Sequence, residues 1–184
     1  MELRRLESNI AANEAYVKIN YPGENFISDT AQLKSKNKYS KGLIIPENVR
    51  VAESRIPINS EQRRTLRKEL RQAGILAGQG NSVFLTPEPG RYKERVTDAV
   101  INGIPYELRN VTGTVKKIEK RFGDAKEKGN AVNVFLTLEN DASINEARRR
   151  IGLVLGRHPE YTGKIIVSTN KGKVYFWDTG SFRN

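Results

Sequence analysis

The chain has 184 residues, 37% of them hydrophobic and 29% charged, which suits a folded domain of ordinary size and excludes a disordered chain. It holds no cysteine and a single histidine, His158, so disulfides, thiolate metal sites, cysteine nucleophiles and two-histidine ribonuclease chemistry are excluded. The formal net charge of +11 favours a polyanionic partner, nucleic acid above all.

No apolar run approaches the roughly 20 residues of a membrane span. The opening stretch MELRRLESNIAANEAYVKI lacks an apolar core, so no signal peptide is expected. Leu3, Leu6, Ile10 and Val17 recur near one face and predict a helix over 3–17. Pro22-Gly23 and the lysine-rich LKSKNKYSKG (33–42) read as loop or linker. Residues 43–58 alternate enough for one or two short strands limited by Pro46 and Pro57. Residues 1–58 are thus expected to form an extension of their own, ahead of a domain at 59–184.

From residue 59 the pattern sharpens. Asn59 and Ser60 are N-cap candidates for EQRRTLRKELRQAG, with Gly74 as its expected stop. SVFLT (82–86) is a short strand. A hairpin follows over 98–111, split at Asn102-Gly103, the strongest short-range hairpin signal. Val115, Ile118, Phe122 and Ala125 then recur at helical spacing through residue 128. VNVFLTL (132–138) is a strand, Ser143 and Glu146 form a capping box, and the helix they open is expected to end near Gly156. KIIVST and KVYFWD close the chain as a hairpin. The expected fold is α/β (α+β), a mixed central sheet flanked by helices.

The hairpin carries the candidate chemistry. A two-residue loop sets Asp98 opposite Glu107, and alternation puts Arg109 on the same face. Ala99, Ile101, Ile104, Tyr106 and Leu108 would form the core face. Opposed carboxylates are unfavourable unless something positive lies between them. They suit a hard divalent cation such as Mg²⁺, which activates water and stabilises charge on a phosphodiester. The plainer reading is a solvated surface on which Arg109 screens both acids.

An aspartate, a hairpin, then glutamate-x-basic, within helix–strand–strand–strand–helix–strand, resembles the PD-(D/E)XK nuclease superfamily. Residues 60–178 more narrowly resemble the C-terminal tRNA-cleaving toxin domains of contact-dependent growth inhibition proteins. The resemblance implies that Glu61 on the first helix, Asp98 and Glu107 hold the metal, and that Arg109 takes the position usually held by lysine. Thr97 stands where that pattern has proline. A guanidinium does not deprotonate at neutral pH, so Arg109 could hold phosphate or orient water but not act as a base.

The resemblance also implies an endoribonuclease acting on tRNA in the bacterial cytoplasm after delivery from another cell. An acidic immunity protein would then cover the basic surface. Phosphate-gripping candidates are Thr112 and Thr114 at a helix N-terminus, Lys116, Lys117, Lys120 and Arg121 on that helix, and Arg64 near Glu61. Two other readings stay open: a non-catalytic nucleic-acid- or protein-binding module on the same scaffold, and a metal-independent ribonuclease of barnase type. Arg148, Arg149 and Arg150 are expected to cover a helix face. His158 is expected to serve a helix C-terminus, and Tyr175, Phe176 and Trp177 to give core packing with one exposed ring.

Overall fold

The computed structural model describes residues 2–88, 91–92, 96–127 and 132–183. The chain divides into two compact units, Met1–Pro105 and Tyr106–Asn184. Each contains strands in a mixed sheet together with helices, the α/β class expected. From residue 59 onward the order helix, three strands, helix, strand, helix, two strands matches the expected one.

In the first unit, α1 (Glu2–Asn20), β1 (Phe26–Ile27), α2 (Thr30–Lys34) and β2 (Val49–Ala52) precede α3 (Ser60–Ala77), β3 (Val83–Leu85) and β4 (Ala99–Ile101). The strands lie side by side in chain order; β2 runs parallel to β3, while β1 and β4 are antiparallel to their neighbours. Phe84 and Val100, opposite each other on β3 and β4, pack with Val17 and Tyr21 of α1. The first helix is fastened further by Asn13. Its buried amide donates to Ser82 O and Oγ at 3.0 Å, and its Oδ1 accepts from Gly103 N at 2.7 Å. Residues 2–58 therefore belong to one compact unit with α3, β3 and β4. The lysine-rich run is no simple linker, because its Leu33 lies in α2 and is buried, as is Leu43 just after it.

The Asn59 side chain caps α3 by accepting from Gln62 N at 2.8 Å. The helix does not stop at Gly74. A Cβ there would come within 3.0 Å of Pro46 Cγ, so this glycine permits a close approach and the helix continues to Ala77. After β4, Asn102 and Gly103 adopt φ of 51° and 85°, the two positive angles of a type I′ turn.

The second unit holds most of β5 (Ile104–Val111), then α4 (Lys117–Glu127), β6 (Asn133–Leu138), α5 (Ile144–Arg157), β7 (Lys164–Ser168) and β8 (Val174–Asp178). β5, β6 and β7 are parallel, and β8 closes on β7 as an antiparallel hairpin. Parallel neighbours need a crossover, and α4 and α5 supply the two. Ile118, Phe122 and Ala125 of α4 and Ala147, Ile151 and Val154 of α5 form one core with Val111, Val134, Leu136 and Val167. Ser143 Oγ accepts from Glu146 N at 3.1 Å, half of the expected capping box. The Glu146 carboxylate turns instead to Arg149 and Arg150. Residue 128, the expected end of α4, lies outside the described residues.

One expectation about β5 is corrected. Val111 alternates with Glu107 and Arg109, so α4 and α5 cover the face that carries these two residues. Tyr106 and Leu108, the expected core face, are buried as well. Both faces are out of solvent there, and Glu107 is only 1% exposed. A parallel strand flanked by other strands is commonly covered on both sides, and a one-face hairpin argument misses this.

Candidate functional site

A cleft of about 420 Å³ opens in the first unit, lined by Arg55, Glu61, Thr65, Glu69, Glu88 and Asp98 among others. Three local features build it. Residues at helical spacing on α3 turn Glu61, Thr65 and Glu69 toward one side. A 3₁₀ turn, Glu53–Arg55, ends β2 and swings Arg55 inward. Asp98 stands just before β4, its carbonyl accepting from Thr86 N at 3.1 Å.

Arg55 is the centre of this arrangement. Its Nη1 donates to both Glu69 carboxylate oxygens at 2.7 Å, its Nε to Thr86 O at 2.6 Å, and its Nη2 to Asp98 O at 3.2 Å. Asp98 Oδ1 lies 3.8 Å from the same Nη2. One guanidinium thus ties together α3, the end of β3 and the entry to β4. Burial pushes the Glu69 carboxyl up to about 7, against the opposing pull of Arg55, while Asp98 adds to the rise.

The sequence-predicted residues fall as follows. Glu61 and Asp98 share the cleft, with Glu61 exposed at the mouth and Asp98 half-buried. Arg64 lies exposed on α3. In the second unit, Arg109 Nη1 donates to Leu108 O at 2.7 Å and lies 3.4 Å from Glu107 Oε2, so arginine and glutamate meet on β5. Thr112 and Thr114 are exposed where the chain enters α4, and Asn140 Nδ2 holds Gly113 O at 3.1 Å. Lys116, Lys117, Lys120 and Arg121 are exposed, with Ile118 and Phe122 buried on the opposite side.

Other basic groups are committed elsewhere. Arg149 and Arg150 hold Glu146, and Arg150 and Arg157 hold Glu119. Arg148 lies over the rings of Trp177 and Phe182, with its carbon 5.3 and 4.5 Å from their centroids. His158 caps α5, its backbone N–H donating to Leu155 O at 3.1 Å. Phe176 is the exposed ring of the last strand, at 54%.

Two cleft residues escaped the sequence reading. Glu69 could have been found, since it lies eight positions after Glu61 and shares its helical face. Arg55 gave no signal, because its stretch read as strand. As for a metal, no three His, Cys, Asp or Glu side chains gather to hold one among the described residues. Mg²⁺ commonly takes only one or two carboxylates and completes its shell with water and substrate phosphate. The hard oxygen donors of Asp98 and Glu69, facing one cation between them, fit that mode of binding.

An acidic cleft centred on a buried arginine, beside the strand that enters a type I′ turn, defines this unit. The fold of the chain has a likeness among solved structures. A chain of the CdiA-CT/CdiI toxin and immunity complex from Burkholderia pseudomallei is similar, with a TM-score of 0.50 and 25% identity over 66% of this chain and 91% of that one. No protein-family model matches the chain, and no curated protein does either.

Proposed function

We propose that this chain is a toxin-type endoribonuclease of the PD-(D/E)XK kind, acting on tRNA and neutralised by an acidic immunity protein. The observation that carries the reading is Asp98 facing the α3 carboxylates Glu61 and Glu69 across one cleft, in a fold shared with a chain of a toxin and immunity complex. Asp98 and Glu69, with Glu61 at the mouth, would hold a divalent ion such as Mg²⁺. The family resemblance alone adds Glu107 as a further ligand and Arg109 as the contact to the scissile phosphate. When bound, the ion supplies water activation and neutralisation of charge on the phosphodiester.

The chain's own groups do the positioning. Arg55 fixes the Asp98 backbone through its carbonyl. Thr112, Thr114, Lys116, Lys117, Lys120 and Arg121 offer hydroxyls, backbone N–H groups and cations to the flanking phosphates. Arg64 supplies a cation near the cleft mouth. The fixed charge of Arg109 holds phosphate in any protonation state of the substrate. The reading places action in the bacterial cytoplasm, where tRNA is found.

Incubating the purified protein with total RNA, with and without EDTA, tests this. Cleavage abolished by EDTA and restored by Mg²⁺ is expected. Cleavage that survives EDTA would remove the ion and favour the barnase-type reading. No cleavage in either condition would leave a binding module.

A further inference from the structure

Four hydrogen bonds hold the Arg55 guanidinium. Nε reaches Thr86 O, Nη1 both Glu69 oxygens, and Nη2 the Asp98 carbonyl, with Asp98 Oδ1 at 3.8 Å. The Arg55 side chain is 6% exposed and that of Glu69 10%. A carboxylate as dry as Glu69, with half-buried Asp98 beside it, needs a positive charge, and here the chain provides it. Guanidinium suits the position better than a hydrated metal ion, because it is weakly hydrated and its planar fork matches a carboxylate. An ion entering between Glu69 and Asp98 would have to expel a buried cation held by four hydrogen bonds. Glu88 on the same cleft offers the expelled guanidinium another carboxylate.

The geometry points to Arg55 as a built-in cation that fills the position between Glu69 and Asp98, so that a divalent ion binds there only by displacing it. Arg55 is a positioning residue in this role, and the inference rests on the nuclease reading only for the meaning of the site. The consequence is a gate. Without substrate part of the negative charge at the centre is balanced internally, and the centre takes up divalent ions weakly. A phosphate group arriving at the cleft adds negative charge and gives the guanidinium a new partner, which shifts the balance toward the ion.

The test uses Mn²⁺ alone and needs no RNA, so its outcome is independent of whether the chain cleaves anything. Electron paramagnetic resonance reports free Mn²⁺, and circular dichroism melting confirms the fold. Wild type should bind Mn²⁺ only in the range of about 1 mM or weaker, and Arg55→Gln about tenfold tighter or more. The gain should vanish in Arg55→Gln/Asp98→Asn. Arg55→Lys keeps a cation between the carboxylates and should show no such gain. A folded Arg55→Gln that binds Mn²⁺ no better than wild type would overturn the proposal. So would micromolar binding by wild type that Asp98→Asn abolishes, a result that needs no Arg55 variant to fold.

Discussion

Two arginine–carboxylate clusters, one in each unit, have similar chemistry and opposite behaviour. In the first unit Arg55 grips Glu69 out of water, and burial raises that carboxyl to about 7. In the second, Glu146 accepts from Arg149 and Arg150 on the surface of α5, and these bonds pull it down to about 2. Ion-pair distances are alike, from 2.7 Å to 3.1 Å. What differs is desolvation, which opposes the charged form in one place and is nearly absent in the other. A salt bridge is thus a different object inside and outside: a constraint on geometry within the cleft, a solvated brace on the helix.

Substitutions can break this contrast. The largest effect is expected for Arg55→Ala, which leaves Glu69 buried without its partner and should cost about 3–5 kcal/mol in urea unfolding. A loss near that of an ordinary surface change would mean that the pair is not buried in solution. Next comes Glu69→Gln. The folded carboxyl lies above its ordinary value of 4.5, so its contribution to stability is complete below pH 4.5 and lost as pH rises through about 7. Wild type should therefore lose stability across that window, and the glutamine variant should show a flatter profile.

Smaller effects belong to the outer cluster. Arg150→Ala removes bonds to Glu119 and Glu146 and should lower the melting temperature less than Arg55→Ala does. Glu146→Gln should lower stability above pH 4.5 and make little difference in strong acid. Its folded carboxyl is depressed, so its contribution is present above pH 4.5 and disappears as pH falls toward 2. Thermal melts between pH 2 and pH 7 would separate the two glutamates, since their slopes have opposite sign.

The two basic helices of the second unit sharpen the same lesson for RNA. Arg149 and Arg150 are spent on carboxylates, whereas Lys116 just before α4 and Lys117, Lys120 and Arg121 on it stand exposed. Lys116→Ala/Lys120→Ala should weaken RNA binding and reduce the salt slope by about 1–2. Arg149→Ala should leave both nearly unchanged, and equal losses from the two variants would contradict the assignment.

Much of the architecture was legible because local chemistry decided it. Asn59 capped α3, Asn102-Gly103 made the turn, and the apolar spacing of Ile118, Phe122 and Ala125 faced the core. What stayed hidden depended on distant partners. Gly74 read as a helix stop until Pro46 was seen against it. Glu107 read as half of a one-sided hairpin until parallel β6 put it inside the sheet. In the candidate site, Asp98 and Glu61 were singled out through the resemblance to a nuclease pattern, and both line the cleft. Glu69 became distinct only through Arg55, whose inward turn follows from a short 3₁₀ segment that no periodicity announces.

The most direct measurement is cleavage of a purified tRNA pool by wild type and Asp98→Asn, side by side in Mg²⁺, with matched melting curves. Wild type should cut, and the folded variant should be slower by about a hundredfold or more, the scale of losing one group that stabilises transition-state charge. A folded Asp98→Asn that cuts as fast as wild type would contradict the placement of the chemistry in this cleft, and a wild type that leaves tRNA intact would contradict the function itself.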